Sequence, residues 1–236
     1  MSTRTKSLIN KIKDYLKFDK FYIFRLKLIK KLKDKASKDL YDYGEGYFYQ
    51  SLKKINLSGL RDTSYRVKEL NLSEIIQHKK VLDIGCNSGF VLLETENLYE
   101  SAIGIDYNLQ LIEIANKVKD HLEANKIEFI CDDFLTYNFQ NKKFDVILSL
   151  ANHSTFDEGI KDTSLYFQKI ENLLEKDGIL IFEGHHPQYE SVEKFEKIKV
   201  FLLEKYNLLE EGKYNVSNFY DNGRNYLVLK SKERKS

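Results

Sequence analysis

Between residues 80 and 183, five apolar runs of strand length alternate with stretches of helical period. This alternation restricts the fold of the 236-residue chain more than any other feature. The runs fall at 80–84, 102–106, 128–131, 145–150 and 179–183. Strands joined through helices pair in parallel, and their crossover helices cover both faces of the sheet. After the second run, Leu111, Ala115, Val118 and Leu122 recur at helical spacing, with Asn108 placed to cap that helix. Ile170, Leu173 and Leu174 mark the helix before the fifth run. Asp177-Gly178 reads as its end, since glycine adopts a left-handed backbone cheaply. A helix is expected at 190–205, followed by strands at 206–214 and 226–229, which pair antiparallel through Asp221-Asn222-Gly223. The expected fold is an α/β, doubly wound, mostly parallel seven-stranded sheet with helices on both faces and an N-terminal helical extension. Its segments are a basic amphipathic helical arm over 1–40, an aromatic lid or helical cap over 41–77, and the sheet domain over 78–236.

In such a sheet, ligands bind beyond the carboxyl ends of the strands. The first run ends in VLDIGCNSGF, residues 81–90. The small residues from Gly85 through Cys86 and Asn87 to Gly89 let the backbone approach a ligand closely. Asp83, two residues before Gly85, would repel a pyrophosphate and welcome an ammonium. Asp106 ends the second run 21 residues after Gly85, where a carboxylate can accept from both hydroxyls of a ribose. The third run ends in Cys131-Asp132-Asp133-Phe134, where a carboxylate can accept from an adenine amine with Phe134 beside the ring. Three carboxylates at neighbouring strand ends describe a ligand with an amine, a ribose and an adenine. A nicotinamide dinucleotide would ask for GxGxxG, and Gly85, Asn87 and Phe90 occupy those places.

The DxGxxxG loop, GIDYN, the DDF segment, FDVILSL and LLEKDGILIF, taken in this order, resemble the successive motifs of class I S-adenosylmethionine-dependent methyltransferases over about residues 78–187. The resemblance implies a Rossmann-like fold and S-adenosylmethionine as cofactor. It also implies that Asp83 and the Gly85-to-Gly89 backbone face the methionine part. Asp106 would hold the ribose with Tyr107 beside the adenine, Asp133 and Phe134 would hold the base, and Leu150 would lie near the methionine end. Asn87 stands where the family often has a glycine, and asparagine tolerates the left-handed geometry needed there.

Methyl transfer from a sulfonium rests on in-line positioning, with a base only where the acceptor must lose a proton. Asn152 and His153 after the fourth run, and His185 and His186 after the fifth, gather near-neutral titrating groups at one rim and are the catalytic candidates. Glu183, His153 and His185 are suitable metal ligands, but the reading is of a site without metal. Pro187 is the only proline, which excludes the Pro-Pro segment of enzymes that methylate DNA base amines, and no Pro-Cys nucleophile is present. DNA is therefore not expected as a partner. Tyr41, Tyr43, Tyr47, Phe48 and Tyr49 could close over the cofactor, with Gly44 and Gly46 as hinges, or simply pack as core. Arg61 and Arg66 flank them and could hold an anionic acceptor.

Residues 1–40 hold 13 Lys/Arg against 4 Asp/Glu, whereas the other 196 hold 25 against 32. A basic helical arm thus precedes an acidic body. The arm is read as one helix over 5–38, broken near Phe18–Asp19, with three uses open: packing on the body with a solvated lysine face, docking on a membrane surface, or binding nucleic acid. Cys86 and Cys131 form no CxxC pair, which fits a reducing cytoplasm. The expected activity is O-methylation of a small-molecule or lipid-linked acceptor, such as a sugar, with peripheral contact at the inner face of a membrane through the arm. The alternatives are an RNA-modifying methyltransferase and a catalytically silent S-adenosylmethionine-binding subunit.

Overall fold

In the computed structural model, which describes residues 2–33, 46–152, 163–185, 191–215 and 223–232, seven strands form one sheet among those residues. They are β1 (Lys80–Ile84), β2 (Ser101–Asp106), β3 (Ile127–Cys131), β4 (Phe144–Leu150), β5 (Leu174–Glu183), β6 (Tyr206–Tyr214) and β7 (Arg224–Ser231). Their order is β3-β2-β1-β4-β5-β7-β6. The first five strands run parallel, and β7 pairs antiparallel with both β5 and β6. The order reverses between β1 and β4, so a crevice opens beyond their carboxyl ends.

Successive residues of each strand face opposite sides, and the chain fills both. Val81, Ala102, Phe129 and Val146 enter one core, with α2 (Tyr22–Lys33), α5 (Phe90–Glu94) and α6 (Leu109–His121) packed over it. Leu82, Ile103, Ile105 and Ile147 enter the other, beneath α7 (Thr163–Leu173) and α8 (Val192–Lys205). Parallel strands buried on both faces need these unbroken apolar runs. Asn108 caps α6 as its position suggested, accepting from the backbone N–H groups of Gln110 and Leu111.

Some expectations are corrected. β5 begins at Leu174, directly after α7, and the left-handed residue is Asp177 at φ 62°. A side chain on Gly178 would come within 2.7 Å of Leu174 and 2.9 Å of the Glu175 carbonyl, so that glycine answers crowding and not helix termination. The arm, by contrast, breaks near Phe18–Asp19 as expected, into α1 (Thr3–Leu16) and α2, joined where Asp19 accepts from the Phe21 N–H at 2.9 Å. Its expected continuation over 34–40 lies outside the described residues, as do Tyr41, Tyr43, Gly44 and the Asp221-Asn222 turn. Tyr47 and Phe48 are not surface flaps. Both are buried, with Phe48 against Phe90 and the Tyr47 hydroxyl donating to Asp14. Two short helices, α3 (Thr63–Glu69) and α4 (Leu72–Ile75), lead into β1.

Candidate active site

The β1–α5 loop turns sharply because three of its residues take left-handed backbones: Gly85 at φ 66°, Asn87 at 55° and Gly89 at 68°. Asn87 thus fills the position expected of a glycine, and its side-chain oxygen accepts from the Ser88 N–H at 2.8 Å. A Cβ on Gly89 would strike the Phe129 ring at 2.3 Å, and one on Gly85 would meet Asn152 at 2.9 Å. Both glycines are therefore required by space as well as by conformation. Cys86 is buried with its backbone N–H on Ile105, so it offers packing and not chemistry.

Asp83 is 2% exposed, and no described residue donates a hydrogen bond to its carboxylate. Burial, reinforced by nearby Asp106 and opposed by Arg66, pushes its pKa up to about 7. A buried carboxylate without a donor suits a ligand ammonium. Asp106 accepts from the backbone N–H groups of Asn87 and Asn108, each at 2.9 Å, one on each oxygen. Those bonds fix its orientation and leave acceptor capacity on each oxygen for a diol. Tyr107 beside it is 53% exposed and presents a ring at the crevice rim. Asp133 is a turn former, its Oδ1 accepting from the Leu135 N–H at 2.8 Å. Phe134 departs from expectation: its ring is buried among Phe139 and Tyr166 under Lys169, with no face turned out for a base. Leu150 is buried at the end of β4. The loop, the buried Asp83 and the oriented Asp106 fit an amino-acid nucleoside. Among the described residues, no group of His, Cys, Asp and Glu could hold a metal.

Past β4, Asn152 is held on three sides. Its amide donates to the Ile84 carbonyl, while its oxygen accepts from Ser149 at 2.8 Å and Tyr166 at 3.2 Å. An amide so engaged packs against Gly85 and ties the ends of β1 and β4 together. His153 and His186 lie outside the described residues, and His185 is half-buried just beyond β5.

The sequence reading did not anticipate the cluster at the end of β5. Glu183 is fully buried and receives Arg66 through Nε at 2.9 Å and Nη2 at 2.8 Å, Arg224 at 2.6 Å, and the Tyr214 hydroxyl. Burial would raise its pKa, but the two guanidiniums outweigh that and hold it at about 2. Arg66, expected to face an acceptor, is instead committed to Glu183. Arg224 also donates to the Tyr49 hydroxyl at 2.7 Å. Burial opposes ionisation of that phenol, yet Arg224, Arg61 and Arg66 together bring its pKa below the usual value. Three guanidiniums thus surround one buried carboxylate and one polarised phenol, beside the β4 and β5 ends.

The sequence model of a family described as "Methyltransferase domain" matches residues 75–221. A U6 snRNA methylphosphate capping enzyme from Drosophila melanogaster is 27% identical over 158 residues, covering 58% of this chain and 51% of that protein. A ubiquinone biosynthesis O-methyltransferase from Pelagibacter ubique is 30% identical over 125 residues, covering 51% of this chain and 46% of that protein. The chain spans about half the length of these curated relatives. Among solved structures, the N-methyltransferase NodS from Bradyrhizobium japonicum, in complex with S-adenosyl-L-homocysteine, superposes with TM-score 0.61 at 15% identity, covering 91% of this chain and all of that one. The [4+2]-cyclase SpnF superposes at 0.58 with 12% identity, covering 70% of this chain and 80% of that one. A shared fold therefore does not by itself fix the reaction.

Proposed function

Since the chain belongs to the methyltransferase-domain family and S-adenosylmethionine is its cofactor, we propose that it methylates an oxygen of an acidic small-molecule or lipid-linked acceptor. One observation carries the reading: Arg61, Arg66 and Arg224 gather around Tyr49 and the Glu183 carboxylate at the end of β5, three cations to one carboxylate in that cluster, which makes the field there positive. A cationic amine is repelled there, whereas a carboxylate, phosphate or acidic sugar is drawn in. S-adenosylmethionine supplies an activated methyl on a sulfonium. The protein holds the two partners in line and excludes water. An acceptor that is already an oxyanion needs no base. For a hydroxyl acceptor, His185 stands at the same rim, and His153 and His186 are the further proposals for the proton. The name of the Pelagibacter ubique relative supports an oxygen acceptor.

The test is transfer of labelled methyl from S-adenosylmethionine to matched acceptors that differ only in carrying an acid or an amine. Product on the acidic member, with kcat/KM falling about tenfold or more in Arg61→Gln and cofactor affinity unchanged, supports the reading. Preference for the amine overturns it.

The Drosophila melanogaster relative favours a second reading, methylation of an RNA 5′ phosphate, which is also an anionic oxygen. It predicts that apparent affinity for RNA falls steeply with salt while turnover on small acids stays absent.

A further inference from the structure

The helix α1 is folded onto the body by its polar face. Ser7, Asn10, Asp14 and Lys17 recur at helical spacing along one side. The Asn10 amide donates to the Gly59 carbonyl at 2.7 Å. Asp14, 0% exposed, accepts from the Ser58 N–H and hydroxyl, each at 2.7 Å, and from the Tyr47 hydroxyl. Lys17 closes the row at 3.0 Å from both Asp14 and the Ser58 hydroxyl. The opposite side carries Leu8, Ile12 and Leu16, exposed by 56%, 49% and 66%. Phe18, at 76%, and Ile23, at 61%, continue that surface beyond the break between α1 and α2. A helix on a water-soluble body buries its apolar stripe and wets its polar one, and α1 does the reverse.

This inversion has a stable anchor. The second helix docks conventionally, burying Leu28 and Ile29, stacking Phe24 on His121 at 3.8 Å, and receiving the Gln110 amide on the Lys31 carbonyl at 2.8 Å. Arg25, fully buried, ties the joint to Asp19 and to the Ile55 carbonyl. The exposed apolar face is therefore held out by a fixed support. By helical spacing, Arg4 and Lys11 border its apolar stripe on one side and Lys6 and Lys13 on the other, with exposed Lys20 beyond the break. The only acidic residues between 2 and 33 are Asp14, which is buried, and Asp19, whose carboxylate accepts from Arg25 and Asn56.

We propose that α1 and the Phe18 turn form a docking surface for an anionic lipid bilayer, with Leu8, Ile12, Leu16 and Phe18 entering the headgroup–acyl boundary and the bordering cations meeting lipid phosphates. An apolar wedge flanked by cations is the arrangement that lies in the plane of such an interface. Bilayer phosphates complement the charge, whereas a second copy of the chain would bring the same cations against each other. The inference is independent of the acceptor assigned above.

The test is co-sedimentation of the full chain with vesicles of phosphatidylcholine plus phosphatidylglycerol, and with vesicles of phosphatidylcholine alone, at physiological ionic strength. Binding to the anionic vesicles, with the Leu16→Ser/Phe18→Ser variant at least about tenfold weaker, is expected. That variant changes only exposed side chains, so its melting temperature and S-adenosylhomocysteine affinity should match the parent's. No binding to anionic vesicles by folded protein overturns the proposal. So does binding that the double substitution leaves unchanged, or sedimentation showing a dimer that the same substitution abolishes.

Discussion

The crevice at the ends of β1 and β2 and the arginine-lined rim at the end of β5 lie along the same edge of the sheet, but they are built differently. The crevice is assembled from short stretches of sequence: Asp83 to Gly89 is one strand end with its loop, and Asp106 is set by its neighbour Asn108 and by Asn87, 19 residues away. The rim is assembled from far-apart residues, since Arg66 and Glu183 are separated by 117 positions and Tyr49 and Arg224 by 175. A site written in local segments can be altered without disturbing the fold. A site that cross-links distant segments is part of what holds the fold together.

The largest expected effect breaks the rim. Glu183→Ala leaves two buried guanidiniums facing each other, which should cost about 3–5 kcal/mol of stability and show as a large fall in denaturant midpoint. The carboxylate's pKa is lowered from 4.5 to about 2 on folding, so its stabilisation is present above pH 4.5 and disappears as pH falls toward 2. The acid limb of the stability profile should therefore be shallower in the variant. Asp106→Ala tests the crevice. Cofactor affinity measured by calorimetry should fall roughly 10–100-fold, or ~1.5–3 kcal/mol, while the melting temperature moves little. An equal loss of stability would erase the contrast between the two regions.

Asp83 gives a subtler outcome. Its pKa is raised to about 7, so protonation favours the ligand-free fold below its ordinary value, and this contribution is lost as pH rises through 7. A cofactor ammonium beside it favours the charged form. Near pH ~6, S-adenosylhomocysteine binding should therefore release up to about one proton, read from the dependence of binding enthalpy on buffer ionisation, and well above pH 7 almost none. Asp83→Asn should abolish the release. The smallest effect belongs to Tyr107→Ala, which removes only an exposed ring and should weaken cofactor binding by ~1 kcal/mol or less.

The same contrast explains what the sequence disclosed. Strand period and loop chemistry are local, so the sheet, the Asn108 cap and the left-handed Asn87 were legible from neighbouring residues. Phe134 was misplaced because an aromatic next to an aspartate reads alike whether it faces a ligand or the core, and only the packing of Tyr166 and Phe139 decides. Arg66 looked like an acceptor ligand because Glu183, its partner, is 117 residues on. The Glu183 cluster carries no motif at all. Its one signal was an acidic residue closing the apolar run Ile179 to Phe182, which must find cations somewhere. The polar inner face of α1 was hidden likewise, since its partners Tyr47 and Ser58 come from a segment beyond the arm.

The bond from Arg224 to Glu183 also imposes a schedule on the growing polypeptide. During synthesis, every part of the Asp83–Asp106 crevice has left the ribosome long before β7 exists, so that half can pair its strands early. Arg66 emerges with them well before Glu183, the carboxylate it hydrogen-bonds, and Glu183 gains its second guanidinium only when Arg224 arrives 41 residues later. Closing so wide a loop is slow, and the rim should be the last part of the molecule to set. A nascent chain would then have its Asp83–Asp106 crevice formed before the cluster around Glu183 is complete.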